Sequence, residues 1–147
     1  MVDGRIKSHV LVHEAAVICE YLKGFPLFAD LSPQTISDVA DRLMVEEAAA
    51  GDVVIRQGDV GDRFYLMRSG RVEVKVRDEA GERRVAEFGE GDYFGERALM
   101  TDEPRNATVI ATAPSVFYTL GKDDFRAVLS QSESFQSQIR KALFQRQ

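Results

Sequence analysis

Apolar positions near the start of the chain recur at helical spacing. The first stretch carries apolar residues at Ile6, Val10, Val17 and Ile18, with Leu22 beyond them, and no Pro or Gly falls between Arg5 and Lys23. Gly24 and Pro26 then close it, as a C-terminal Gly followed by Pro commonly does. Ser32-Pro33 opens a second helix, a capping hydroxyl with Pro at the first helical position, and Ile36, Val39, Ala40 and Leu43 form its apolar face. From about 51 to 120 the period changes to two. Val72, Val74 and Val76 alternate with Glu73, Lys75 and Arg77, the mark of a strand with one buried face. Short runs at 53–55, 64–67, 108–111 and 116–120 read the same way. Turn signals separate them at Gly51-Asp52, Gly58-Asp59, Gly61-Asp62, Ser69-Gly70, Glu79-Ala80-Gly81 and Gly91-Asp92. From 122 the pattern is helical again. Asp123-Asp124 caps a helix carrying Phe125, Val128 and Leu129; Ser130 with Glu133 makes a capping box for a last helix with Phe135, Ile139 and Leu143. The pattern predicts a mainly β fold with flanking helices: an antiparallel, jelly-roll-like β-roll of about eight short strands. A helical segment 1–46, a β-roll 47–121 and C-terminal helices 122–147 together form one domain.

Composition narrows the function classes. The 147 residues include 24 acidic and 19 basic side chains, a net charge of −5, which argues against nucleic-acid binding driven by clustered Lys and Arg. No apolar run approaches the ~18 residues that span a bilayer, and no signal-peptide core follows the N-terminus. The single cysteine, Cys19, cannot form an internal disulfide and sits among apolar residues as a buried thiol would, which fits a reducing, cytoplasmic setting. His9 and His13 have the spacing of a metal pair without a third ligand nearby, and these two histidines, both outside the β region, argue against a cupin-type metal enzyme. The four Gly-Asp pairs have hairpin spacing rather than that of a calcium loop. Asp41-Arg42 and Glu46-Glu47 read as solvated face.

One interruption of the β region carries chemistry. Glu96 to Met100 are good helix formers between Gly95 and the stop signals at Thr101 to Pro104, so a single helical turn is expected between two strands. Its free backbone N–H groups suit an anion, and Gly95 lets a ligand approach the backbone closely. Arg105 adds a permanent cation with a planar fork suited to phosphate. A carboxylate beside an anion would repel it, so Glu96 is read as accepting from hydroxyls. One anionic group with a neighbouring hydroxyl describes a sugar phosphate. The competing reading is a structural Glu96–Arg105 pair in a β-roll that binds nothing.

Phe94-Gly95-Glu96-x-Ala98-Leu99, then Pro104-Arg105-x-Ala107-Thr108, resembles the phosphate-binding cassette of cyclic nucleotide-binding domains. Residues 55–65 are similar to the turn-rich β-roll entry of the same family, and the likeness runs over about 25–145. The resemblance implies that Glu96 accepts the ribose 2′-hydroxyl and that the Gly95 N–H helps hold the same sugar. It implies that Arg105 pairs with the cyclic phosphate and that the N–H groups of Ala98 and Asn106 complete the anion cradle. Pro104 would fix the backbone entering Arg105, Ala107 completes the motif, and Leu99 would sense movement of the cassette. Arg97 stands where many members have an apolar residue, and its stem can cover the ribose. Asn106 stands where cAMP sites typically have Ala and cGMP sites Thr or Ser; its Oδ1 can accept from a guanine amino group, so the base stays open. Arg140 and Phe144 on the final helix are the possible caps over the base.

The resulting expectation is a non-catalytic regulatory domain that binds cAMP or cGMP, with no metal and no other cofactor. Binding would draw the cassette inward, move the hinge at 125–129 and close the last helix over the base. The terminal helices would then act on an attached or associated effector: a kinase, channel, transporter or other signalling protein. The alternative is a protein-interaction module whose pocket no longer binds.

Overall fold

The sequence stretches with period two become the strands of two sheets, and the stretches with helical spacing pack outside one of them. In the computed structural model, residues 6–7 and 12–145 are described, with side chains from 17 to 141. The elements are β1 (Ile6–Lys7), α1 (Val12–Lys23), a 3-10 turn (Pro26–Phe28), α2 (Pro33–Arg42), β2 (Met44–Ala48), β3 (Val53–Ile55), β4 (Arg63–Ser69) and β5 (Arg71–Asp78). They continue with β6 (Gly81–Gly89), β7 (Tyr93–Phe94), α3 (Glu96–Thr101), β8 (Thr108–Ala111), β9 (Ser115–Gly121), α4 (Lys122–Gln131) and α5 (Glu133–Gln145). All pairings are antiparallel, in the orders β1-β2-β9-β4-β7 and β3-β8-β5-β6. β2 to β9 form the expected eight-stranded roll.

Two apolar cores follow. One lies in the roll and includes Met67, Val72, Val74, Phe94, Val109 and Phe117. The other joins the helices to the outer face of the first sheet, where Phe28, Phe64, Leu99, Phe125 and Phe135 meet. Phe64 lies 4.9 Å from Phe125, and Phe125 lies 5.7 Å from Phe135, centroid to centroid. Ile36, Val39, Ala40 and Leu43 are all buried, and Ser32 caps α2 by accepting from the Thr35 N–H at 3.1 Å.

Several local expectations shift. The helical reading of 1–46 gives way to strand at Ile6–Lys7 and again at Met44–Ala48, because β2 completes the first sheet beside β9. Glu46 is not solvated: its side chain is turned into the fold 3.8 Å from the Arg63 guanidinium. Arg42, read as solvated face, is part-buried between Asp38 and Asp124. Val17 is exposed, whereas Ile18 and Leu22 carry the buried face of α1; Cys19 is half-buried against the same core. Gly121, not Asp123-Asp124, stands at the cap of α4, with both aspartates in the first turn. Ser132 rather than Ser130 caps α5, accepting from the Phe135 N–H at 3.2 Å, while the Ser130 hydroxyl donates to the Ala127 carbonyl. Val10 and His9 lie outside the described residues, as do the side chains of His13, Leu143 and Phe144.

Candidate functional site

The roll holds a cavity of about 560 Å³ between the inner face of the second sheet and the 94–107 segment. Gly95, Glu96, Arg97, Ala98, Pro104, Arg105, Asn106 and Ala107 all line it, so eight of the nine expected contact residues meet there. Leu99 is the exception. Its side chain turns away into the helical core, only 1% exposed, since neighbouring positions on one helical turn point in different directions. Arg140 stands apart from this cavity, on the outer surface of α5 beside a separate depression with Ser137 and Lys141.

Arg105 is the best-defined polar group of the site. It is only 8% exposed, and its fork is held from behind: Nη1 donates to the Gly95 carbonyl at 2.8 Å and Nη2 to the Arg63 carbonyl at 2.7 Å. Its main chain is pinned as well, its N–H donating to the Asp59 carbonyl at 2.7 Å and its carbonyl accepting from the Gly58 N–H at 2.8 Å. Thus the Gly-Asp turns at 58–62 form the bracket that aims the guanidinium. Burial pulls the Arg105 pKa down; the opposing charges of Asp62 and Glu96 favour the cation in return. A guanidinium stays protonated at any physiological pH. A buried cation bonded to neutral carbonyls has high affinity for an anion, because Coulomb attraction is weakly screened there.

Gly95 sits at φ 89° in the left-handed region, where a Cβ would lie 3.0 Å from the Arg63 carbonyl and 3.1 Å from Arg105 Nη1. Only glycine lets the turn into α3 close over the guanidinium. Glu96, the first residue of α3, is 5% exposed and faces the same cavity. Behind them Phe88, Phe94 and Tyr65 stack in parallel, with centroid spacings of 6.0 and 4.9 Å. Burial, and secondarily the Glu46 charge, pushes the Tyr65 phenol well above its ordinary pKa, so that ring stays neutral.

The cavity also takes in residues outside the cassette: Val74 and Val76 of β5, Arg83, Val85 and Phe88 of β6. The alternation of 72, 74 and 76 signals an inward face on β5, but the charged run at 82–84 hides β6. The result is a polar floor, with one anchored cation and one carboxylate, facing an apolar wall. Among the described residues no group of three or more His, Cys, Asp or Glu side chains is arranged to hold a metal ion. No described helix is long and apolar enough to cross a membrane.

The family model of the cyclic nucleotide-binding domain matches residues 45–132. The chain belongs to this family. As a cyclic nucleotide-binding domain it is 44% identical over 104 residues to a cAMP-dependent protein kinase regulatory subunit of Blastocladiella emersonii, covering 70% of this chain and 26% of that protein. It is 37% identical over 113 residues to a cGMP-dependent protein kinase of Drosophila melanogaster, covering 74% of this chain and 15% of that one. The chain therefore spans about a quarter of the length of the curated regulatory subunits it matches. Among solved structures, the regulatory domain of Toxoplasma gondii protein kinase A with cAMP superposes with a TM-score of 0.84 at 27% identity, over 90% of this chain and 51% of that one. The catabolite activator protein of Thermus thermophilus gives 0.76 at 27% identity, over 82% and 57%. A regulatory subunit of a cAMP-independent kinase A from Trypanosoma cruzi, bound to guanosine, gives 0.77 at 25% identity, over 86% and 48%.

Proposed function

We propose that this domain is a non-catalytic sensor of a cyclic nucleoside monophosphate. Arg105 pairs with the cyclic phosphate, Glu96 accepts from the ribose 2′-hydroxyl, the N–H groups of Gly95, Ala98 and Asn106 hold the remaining oxygens, and the base lies along the apolar wall. The observation that carries this reading is the buried Arg105 fork, held by two carbonyls at the edge of a cavity that also receives Glu96. The N-terminal segment 1–46, the β-roll 47–121 and the C-terminal helices 122–147 act as one domain, and the terminal helices change position on binding. The regulated partner is a protein kinase catalytic subunit or domain, a reading supported by kinase regulatory subunits and cyclic-nucleotide-dependent kinases among the relatives. The relatives of 44% identity are cAMP-dependent, which favours cAMP, while Asn106 leaves room for guanine. A cytoplasmic setting is supported by the single, half-buried Cys19.

Calorimetric titration with cAMP, cGMP and guanosine tests the proposal, after any nucleotide carried through purification has been removed by unfolding and refolding. A charge-assisted hydrogen bond contributes about 1.5–3 kcal/mol, so Arg105→Ala should weaken cyclic nucleotide binding at least 10- to 100-fold, each ~1.4 kcal/mol being tenfold. Guanosine, lacking the phosphate, should bind weakly and respond little to the same change. Equal affinity for guanosine and the cyclic nucleotides would make this a nucleoside site instead. No heat with any of the three would leave the β-roll as an interaction module.

A further inference from the structure

Asp102 ends α3 at φ 59°, and among the described residues it is the one non-glycine residue with positive φ. Glycine occupies that region without a Cβ penalty, and Asp tolerates it only as a local exception. The Asp102 N–H closes the helix on the Ala98 carbonyl at 3.1 Å, a bond that any residue but proline could make. Its carboxylate makes contacts that glycine could not. Oδ1 accepts from Lys122 Nζ at 2.5 Å and from Arg126 Nη2 at 2.7 Å, two cations one turn apart on α4. Arg126 Nη2 also donates to the Leu99 carbonyl at 3.2 Å, so α4 grips the end of α3 by side chain and main chain together. The Lys122 bond foremost, with Arg126 adding to it, holds the Asp102 carboxyl below its ordinary pKa, and it is ionised at neutral pH.

The opposite end of the same short helix, from Gly95 to Ala98, lines the cavity. Between the two ends, Leu99 meets α4 through the apolar cluster that contains Phe125. Apolar contacts are non-directional and permit sliding, whereas two ion pairs on one carboxylate oxygen fix a position. An exposed pair of this kind contributes little to stability, and Asp102 is 60% exposed. Its use is therefore positional. We infer that Asp102 is the positioning residue that couples the nucleotide cavity to α4, an inference that rests on the nucleotide-binding reading above. Through it, displacement of α3 at the cavity is transmitted to Lys122 and Arg126 as a shift of the whole first half of α4.

Hydrogen exchange across 122–131, with and without the tighter-binding of cAMP and cGMP, tests this in wild type, Asp102→Asn and the Lys122→Gln/Arg126→Gln double variant. Asn keeps the size and left-handed tolerance of Asp but loses the charge. Coupled sites typically influence one another by about 5- to 150-fold, so nucleotide should change wild-type exchange in this segment by about fivefold or more. In both variants that change should fall below about twofold while the melting temperature stays within a few degrees of wild type. High salt should move wild type toward the variants, since exposed pairs are screened. A nucleotide-induced change in Asp102→Asn equal to that of wild type overturns the inference. So does a wild-type protein that binds nucleotide with no change over 122–131. If wild type binds no nucleotide in the calorimetry, the nucleotide-binding reading itself falls, and the coupling with it. Should Asp102→Asn misfold, the double variant, which leaves the α3 terminus intact, decides.

Discussion

At position 61 a single methyl group would stand 2.4 Å from the Ala98 Cβ and 2.9 Å from the Arg105 guanidinium carbon. Neither neighbour can retreat. Ala98 has no rotamer to change, and Arg105 is held at its tip by two carbonyls and at its backbone by the 58–59 turn. Gly61→Ala should therefore displace the guanidinium rather than be absorbed. We expect nucleotide affinity to fall about tenfold or more, approaching that of Arg105→Ala. The overpacking should cost about 1–3 kcal/mol of stability, lowering the melting temperature by several degrees. Calorimetry beside a thermal melt checks both, and unchanged affinity would show that Arg105 is less tightly positioned than its bonds indicate. Gly61-Asp62 reads in the sequence only as a turn; its steric duty depends on a residue 44 positions later, which no local pattern reveals. The cassette residues are legible because their chemistry is contiguous, within 94–108. Val74, Val76, Val85 and Phe88 are not, because they join the site only through sheet pairing.

Among the elements, the helix boundaries illustrate how two near-equal signals are resolved. Ser130 and Ser132 both precede a helix of the right pattern, and Ser130 has the acidic residue three positions on that a capping box requires. Tertiary packing decides for Ser132: Leu129 stays in α4, buried in the helical core, so the chain cannot leave the helix before Gln131. The Ser132 hydroxyl accepts from Phe135 N–H, while the Ser130 hydroxyl is spent on a carbonyl of its own helix. Ser132→Ala should cost about 1 kcal/mol in urea denaturation, and Ser130→Ala less than ~0.5 kcal/mol. A larger loss at 130 would return the cap to the sequence-based position. The same logic explains β2 and β6. Both carry charged runs that break alternation: Glu46-Glu47 in β2, where Glu46 is buried beside Arg63, and 82–84 in β6, an edge strand largely open to water. Strands with a regular buried face, such as β5, are legible; β2, whose buried Glu46 meets Arg63 across the sheet, and β6, whose charged run faces water, are not.

On the scale of the whole molecule, the chain carries a net charge of −5 and yet is read as binding an anionic ligand. Long-range electrostatics oppose the encounter. The attraction must come from a few oriented groups at close range, and the fold supplies them by sinking Arg105 behind the α3 turn and beside Glu96, away from ions in solution. This differs physically from an exposed basic patch, where binding releases counterions and weakens steeply as salt rises. Salt shortens the Debye length from about 30 Å at 0.01 M to about 8 Å at 0.15 M, which screens the repulsion from the net charge and leaves the buried contact nearly untouched. Nucleotide affinity should therefore stay level or tighten slightly over that range, with Kd changing by no more than about threefold. Titrations at the two salt concentrations check this, with potassium chloride as the salt so that no phosphate or sulfate competes for the site. A Kd that rises more than about tenfold would mean that exposed cations such as Arg97 or Arg83 dominate binding, and that the buried Arg105 site is not the principal anion contact.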